Sequence, residues 1–561
     1  MDEMVCDLLV VGSGCAGLTA AITARALGLD VILIEKAGVV GGATAQAGGM
    51  AWVPGNRISA EAGRSDSFEA ARRYIANEAG PYYNDIVTRA FLDNGPAMVD
   101  FMTRLGAVEF KSTPLPDYHP ETAGASTKGR GIYPANFDGR ELGRMIDILR
   151  VGNPLSTFLG VPIGRDDMQP FFTAGRSLRS ALYVAKRLIA AWAQIPFHGQ
   201  SMRLVAGRAM IGRLLKTATQ SGVRLMLSAP VTALEVADGA VTGARIFQGD
   251  GTTRIAASRG VVLATGGFPF DRANRTRYFP GGRDDMVWVL PETNSGDGMN
   301  IAAQVGGVIC EKVDSPVAYS PVAPIEDQGQ PRTFSIFPTR SLPGFVAVMP
   351  DGRRFANEAD SYHDFGRAIF EASEDKAEPY AYILCDHRAL RRYGLGPVKP
   401  FPLPYRQHLR SGRLIRAKSI AALADQLDID PARLEATVGR FNEAAARGED
   451  PDFHRGENLY NQVTGDPTHR PNPNLGPLDR GPYYAMKVHP GAIATYVGLE
   501  IDGHARVLRA DGTAISGLYA AGNDAVNMFG GNYVGGGSTI GPAMTFGYIA
   551  ARHAAGVANG P

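Results

Sequence analysis

The chain has little cysteine. Cys6, Cys15, Cys310 and Cys385 are the four present in 561 residues, and none falls in a CxxC or CxxCH pattern. Zinc, iron–sulfur and c-type haem sites therefore lack support, no metal site is expected, and the chain suits a reducing compartment. No run of 18 apolar residues occurs, so no segment is predicted to span a bilayer. The start, Met1-Asp2-Glu3-Met4, has no basic stretch leading into an apolar one, so no secretory signal is expected and a cytoplasmic setting follows. An excess of charge is also missing: 57 Lys and Arg against 56 Asp and Glu leave a formal net charge of +1. Nucleic acid, which needs a basic field, is excluded as an expected partner.

Glycine, by contrast, is abundant, with 68 residues gathered at strand–helix junctions. The run Asp7-Leu8-Leu9-Val10-Val11 reads as a buried parallel strand. Gly12-Ser13-Gly14-Cys15-Ala16-Gly17 follows, then an alanine-rich helix from Leu18 to Leu27, then a strand Val31–Ile34 ending at Glu35 and Lys36. A GxGxxG pattern is weak alone, but this context makes it a dinucleotide fingerprint. Gly12 permits the tight turn, Gly14 admits a pyrophosphate onto the helix start, and Gly17 lets helix pack on strand. Glu35 would accept hydrogen bonds from ribose hydroxyls, and an acid there disfavours a 2′-phosphate.

Further glycine loops extend the site. Gly41-Gly42-Ala43-Thr44 and Ala47-Gly48-Gly49-Met50 come soon after the acid. Val231 opens a hairpin around Asp238-Gly239 and is assigned to the nucleotide wall. Ala264-Thr265-Gly266 closes a later strand, Gly296 and Asp297 lie in a tight loop before a helix, and Gly522-Asn523 follows a C-terminal strand. So many loops suit a long cofactor, FAD in extended form. Gly530 to Pro542 holds six glycines and one phenol, Tyr533, and a helical pattern starts near Thr539 and Ile540. Glycine lets backbone N–H groups approach a ligand and a helix start adds positive potential, so this segment can hold a carbonyl oxygen as charge builds on it.

The expected fold class is α/β. A Rossmann-like FAD-binding domain would be built from residues 1–284 and 487–561, around an inserted α+β substrate domain at 285–486. The polar, Pro-rich stretch 447–480 reads as a surface loop. Arg353 and Arg354 read as solvated residues flanking a turn, and His119 and His363 as structural or solvent-facing.

Taken together, GSGCAGLTAA, GGATAQAGGMAWVPGN, ATGGF, NSGDG, RRFANEADSYHDFG, GLYAAGN and STIGPAMTFG resemble the FAD flavoproteins of the fumarate reductase/succinate dehydrogenase superfamily. Within it the chain is most similar to the 3-ketosteroid Δ1-dehydrogenases. The resemblance implies that Tyr533 O–H and Gly537 N–H hold the C3 ketone as an oxyanion hole. It implies that Tyr362 takes a proton from C2 and that hydride leaves C1 for flavin N5. Tyr118 would relay the charge of Tyr362, or merely cover the site. Phe337 would line the steroid site or, as the stronger expectation, sit in ordinary core. The superfamily attaches flavin through a histidine near the second glycine loop; residues 41–49 hold none, so FAD is expected to be non-covalent. Electrons would pass to an external acceptor, a quinone or similar. Desaturation at C4–C5 of a 5α-steroid or of another cyclic ketone, an enoate reductase of the fumarate type and a non-catalytic flavin sensor stand as alternatives. The sequence departs from the family at Val534 and Gly536, where proline is common, and at Gln46, where an aromatic is usual.

One basic amphipathic segment stands apart. In 171–197, Leu178, Ala181, Leu182, Ala185, Leu188, Ile189 and Trp192 share one helical face, and Arg176, Arg179, Tyr183, Lys186 and Arg187 the other. Phe171, Phe172 and Phe197 flank it. The layout fits a helix lying on a membrane surface or one packed on the domain with its basic face in water.

Overall fold

The computed structural model describes residues 3–153, 157–175, 177–249, 251–279, 289–327, 330–337, 339–374 and 378–557. It is a mixed α/β structure. Leu8–Val11 pairs in parallel with Val31–Ile34 on one side and Val261–Leu263 on the other. The six-stranded sheet runs Arg224–Met226, Val31–Ile34, Leu8–Val11, Val261–Leu263, Ala514–Ala520 and Arg506–Leu508. Strands near both chain ends thus lie in one sheet. The unbroken Val, Leu and Ile runs are the residues that both-face burial demands, and Leu8–Val11, Val31–Ile34 and Val261–Leu263 are buried throughout. Helix Cys15–Ala26 is buried over Cys15–Ala24, packed between this sheet and helix Ile540–Ala554, and its alanines and glycine permit that close fit. The Val231–Ala237 and Ala240–Gln248 hairpin turns at Asp238-Gly239, both at positive φ, as the sequence predicts.

A second sheet is antiparallel, in the order Gln330–Ser335, Val317–Asp327, Tyr483–Thr495, Ala381–Asp386, Phe345–Val348. Strand alternation splits its side chains between two cores. Phe345 and Ala347 join Phe365, Ile383 and Met486 on one face; Val346 and Val348 join Leu384, Leu434 and Phe441 on the other. The first domain's core runs on through Met299 and Ile301 to Val317 and Tyr319, and resumes at Ala492. The boundary expected at 284/285 lies outside the described residues, and position 486 falls inside the 13-residue strand Tyr483–Thr495.

Two expectations are overturned. Residues 447–480 are no surface loop: Arg455, Asn461 and Asn474 are fully buried within them. Arg455 donates to the carbonyls of Phe345, Arg340 and Leu342 and to Glu358. Asn474 donates to the carbonyls of Ser341 and Asn461. Part of its polarity therefore satisfies buried backbone, while residues such as Arg447, His454 and Arg480 meet water. Likewise Arg354 is buried between Glu358 and Asp450, at 2.8 and 2.7 Å, while Arg353 is exposed as expected.

Helix Leu178–Trp192 is packed through its polar side. Tyr183 O–H donates to Asp167 at 2.6 Å, and Arg187 Nε sits 3.4 Å from the same carboxylate. Its apolar face points outward, with Leu178 78%, Leu182 63% and Ile189 66% exposed, and Phe197 beyond it 84%. Arg176 and the Phe172 side chain lie outside the described residues. No described helix is long and apolar enough to cross a membrane.

Candidate active site

A cavity of about 1640 Å³ takes lining residues from the parts of the chain around both sheets. Gly12, Ser13, Gly14, Ala16, Glu35 and Lys36 line one end. Gly42, Ala43, Thr44, Ala47, Gly48 and Gly49 line the adjoining wall. Val231, Ala264, Thr265, Gly266 and Asp297 close the far side, and Gly522, Asn523, Gly537, Thr539 and Ile540 continue toward the second domain. Gly17 and Gly296 do not face the cavity. A side chain on Gly17 would meet the Gly12 carbonyl at 1.9 Å, and Gly296 starts helix Asp297–Gln304.

The chemistry of this wall fits a dinucleotide. Helix Cys15–Ala26 begins at Gly14 with no side-chain cap and no acid in its first turn, and helix Ile540–Ala554 begins at Thr539 in the same state. Elsewhere Ser361, Asp386 and Ser419 cap their helices. Cys15 N–H reaches the Thr44 hydroxyl at 3.4 Å and Gly541 N–H the Gly537 carbonyl at 3.0 Å, and the rest of each helix start opens on the cavity, suited to a phosphate at one end and a ring carbonyl at the other. Gly12, at φ +106°, could carry no side chain, since its Cβ would lie 2.2 Å from the Ala264 carbonyl oxygen.

Charged side chains brace the loops. Glu35 accepts from Ser13 N–H at 3.0 Å and hydroxyl at 2.5 Å, and from Ala37 N–H at 2.8 Å, which holds the buried carboxylate as an acceptor. Lys36 Nζ reaches across to Asp297 at 2.8 Å. Asp524 accepts from Thr265 N–H at 2.5 Å and Gly267 N–H at 3.1 Å, fixing the 264–267 turn. The sequence reading passed over Asp524, although its place just after Gly522-Asn523 marks it.

At the other end, Tyr118, Tyr362 and Tyr533 come together from three distant segments. Ring centroids are 5.7 Å apart for Tyr118 and Tyr362, 5.9 Å for Tyr118 and Tyr533, and 5.0 Å for Tyr362 and Tyr533. Local structure sets each one. Tyr118 N–H donates to the Val534 carbonyl at 3.1 Å, and Tyr74 O–H donates to the same oxygen at 2.8 Å. Before it, Asp117 is tied to Trp52 at 2.8 Å and to buried Arg130 at 2.7 Å. Tyr362 opens helix Tyr362–Ala372, capped by Ser361. Tyr533 lies beside Gly537, whose φ of +100° turns the chain against Met50.

Burial raises the Tyr362 and Tyr118 phenols well above the ordinary value, and neighbouring phenols add to it. Burial raises Tyr533 as well, opposed by hydrogen bonding with Tyr362 and Thr539 and from the Gly537 N–H. All three are neutral donors in the resting protein. His363 is buried and pushed down to about 4 by desolvation, so it is an uncharged acceptor for Tyr319 N–H. His119 takes the structural role: its ring nitrogens meet Glu78 at 2.6 Å and Asp364 at 3.0 Å, although its side chain keeps 30% exposure.

Two aromatic positions differ from the stronger sequence expectation. Phe337 lines the cavity, edge-on to Tyr362 at 4.8 Å. Tyr460, which the sequence reading missed inside the supposed surface loop, packs 4.7 Å from Tyr118 and also lines the cavity.

Residues 7–540 match the FAD binding domain family. The chain is 38% identical to 4-oxocyclohex-2-ene-1-carboxylate 5-dehydrogenase of Sinomonas cyclohexanicum, over 99% of this chain and 95% of that one. It is 35% identical to 3-oxosteroid 1-dehydrogenase of Mycobacterium tuberculosis, over 98% of each. The chain belongs to this family of FAD-binding flavoprotein dehydrogenases. Among solved members, the 3-ketosteroid delta1-dehydrogenase from Sterolibacterium denitrificans, in complex with 1,4-androstadiene-3,17-dione, superposes with a TM-score of 0.91 at 30% identity, covering 98% of this chain and 99% of that one. FAD is accordingly the cofactor of this flavoprotein dehydrogenase, and the chain is an FAD-dependent oxidoreductase.

Proposed function

We propose that this flavoprotein desaturates a six-membered ring ketone between the carbons α and β to the carbonyl, the step that 1,2-dehydrogenation of a 3-ketosteroid exemplifies. The observation that carries the reading is the meeting of Tyr118, Tyr362 and Tyr533 beside the Gly537 turn. Tyr533 O–H and Gly537 N–H hold the ketone oxygen and take up charge as the enolate develops. Tyr362 receives the proton from the α carbon. A free phenol titrates near 10, too high for a strong base at neutrality, so enolate stabilisation must share the work. Tyr118 supports the charge on Tyr362. FAD, when bound, supplies the acceptor for the two electrons and the hydrogen that leave the β carbon.

The FAD domain in this reading is Rossmann-like and built from both chain ends around an inserted α+β domain. No histidine lines the cavity among the described residues, which supports non-covalent FAD. Reduced enzyme passes electrons to a diffusible acceptor such as a quinone. The outward apolar face of helix Leu178–Trp192, beside exposed Arg179 and Lys186, supports resting on a lipid surface. Loss of vesicle co-sedimentation on reversing Arg179 and Lys186 tests that contact; unchanged binding would remove it.

The test of the function is anaerobic mixing of the holoenzyme with ring ketones, including androst-4-ene-3,17-dione. Bleaching of the flavin, with a conjugated enone as product, is expected. Reoxidation of the reduced enzyme by fumarate, with no bleaching by any ketone, would replace it with an enoate reductase. A second substrate form, a small oxo-ring carboxylate, is favoured by the resemblance to the Sinomonas enzyme.

A further inference from the structure

Arg165 stands at the cavity wall where the region 157–200 meets the tyrosine cluster. It opens helix Arg165–Thr173. Its side chain donates to the Thr113 hydroxyl at 2.8 Å, touches Met50 Sδ at 3.6 Å and lies over the Tyr133 ring at 5.5 Å. It makes no ion pair among the described residues. The acids next to it are already taken. Asp166 is bound by Lys111 at 2.7 Å and by Tyr133 O–H at 2.8 Å, and Asp167 by Arg203 at 3.0 Å and Tyr183 at 2.6 Å. The guanidinium is therefore a surplus positive charge facing the cavity, exposed to whatever enters it.

Its distance from the reacting end is short. Met50 bridges the two, because the sulfur that touches Arg165 is also 3.3 Å from the place a methyl on Gly536 would occupy. The Tyr118 hydroxyl is 3.4 Å from that same place. The cation favours ionisation of the Tyr118 phenol, so its field does reach the phenol cluster. One side chain thus separates the guanidinium from the residues around the ketone site. A ring held by its ketone at Tyr533 and Gly537 would lie in the same cavity as this wall.

We propose that Arg165 anchors a carboxylate on the substrate, so that the ring ketone taken by this chain is a keto acid rather than a neutral steroid. This rests on the reading of the site as a ring-ketone desaturase. Guanidinium and carboxylate match in charge and in bidentate geometry. Thr113, Met50 and Tyr133 hold the side chain in place without neutralising it.

The experiment compares the holoenzyme with its Arg165→Met and Arg165→Lys variants. Flavin reduction is followed with 4-oxocyclohexane-1-carboxylate, its methyl ester and androst-4-ene-3,17-dione. Binding of the acid to oxidised enzyme is read separately from the flavin absorbance change. The wild type should prefer acid to ester in kcat/KM by about tenfold, the size expected for a charge-assisted hydrogen-bonded pair that water still reaches. That ratio should collapse toward one in Arg165→Met, through KM rather than kcat, and recover partly in Arg165→Lys. Added salt should depress reaction with the acid and spare the ester. A wild type that treats acid and ester alike, or an Arg165→Met change that lowers both together, overturns the anchor. Reduction by the steroid or the ester but not by the acid overturns the anchor alone. Failure of every ketone, neutral or charged, overturns the desaturase reading beneath it.

Discussion

His119 Nε2 lies 3.0 Å from Asp364 Oδ2, and this contact clamps the loop that carries Tyr118 to the helix that Tyr362 opens. The other ring nitrogen meets Glu78 at 2.6 Å. Burial works against the imidazolium, but Asp364 and Glu78 outweigh it and hold its pKa well above the ordinary 6.5. Asp364 is held well below the usual carboxylate range: burial opposes this, and His119 prevails.

The signs of these shifts fix the pH window of the clamp. A histidine with a raised folded pKa contributes fully below its unfolded value and loses that contribution as pH climbs through the raised one. An aspartate with a lowered folded pKa contributes above its unfolded value of 3.8 and loses it as pH falls. The clamp is therefore whole from weakly acid to neutral pH and loosens at both extremes. Thermal unfolding across pH should show stability falling on the alkaline side, and His119→Ala should flatten that slope. The variant should also lose about 2 kcal/mol near pH 6, since it strands Glu78 and Asp364 without their shared partner. An unchanged alkaline slope in the variant would place the titration elsewhere.

Tyr362→Phe keeps the ring and its packing against Phe337, Tyr118 and Tyr533 but removes the proton acceptor. FAD content and ligand binding should survive, while the rate of anaerobic flavin reduction should fall by roughly 10²–10⁴-fold, the usual worth of a general base. Near-normal turnover in this variant would strike Tyr362 from the role of base.

The sequence showed the cofactor end in outline because glycine leaves local marks there. The strand before Gly12, the acid at Glu35 and the uncapped helix starts are all short-range patterns, and almost every residue assigned from them faces the cavity. The tyrosines were legible through the motifs around them. Tyr460 was not, because a polar, Pro-rich stretch normally signals solvent, whereas here Arg455 and Asn474 turn inward onto carbonyls, and Asn461 onto Asn357 and Asp360, that only the folded chain brings near. Arg354 misled for the same reason: its partner Asp450 lies 96 residues away. Long-range polar pairing has no periodicity to read.

That hidden polar core makes its own prediction. Arg455 is fully buried and supports Glu358 at 3.0 Å together with three backbone carbonyls. Arg455→Met would leave Glu358 leaning on Arg354 alone among its former charged partners and would orphan those carbonyls. Denaturant unfolding should show a loss of about 3–5 kcal/mol, the range for breaking a buried charged pair. A loss below about 1 kcal/mol would mean that the 447–480 stretch tolerates water there.

Gly537 combines two demands that no other residue meets. Its φ of +100° is a region side chains rarely adopt, and a Cβ there would stand 2.5 Å from the Met50 carbonyl carbon and 2.7 Å from Ala51 Cα. Both obstacles are backbone, so no side-chain rotation relieves them. Gly537→Ala must move either the Tyr533 turn or the Met50–Ala51 strand entry, and both line the same cavity wall as helix Ile540–Ala554. The protein should fold, because the strain is local and worth a few kcal/mol. It should nonetheless be purified largely without flavin, with the dissociation constant for FAD, measured by flavin fluorescence quenching, raised more than tenfold. Retention of full FAD affinity with loss of ketone reduction alone would instead confine Gly537 to the substrate end of the cavity.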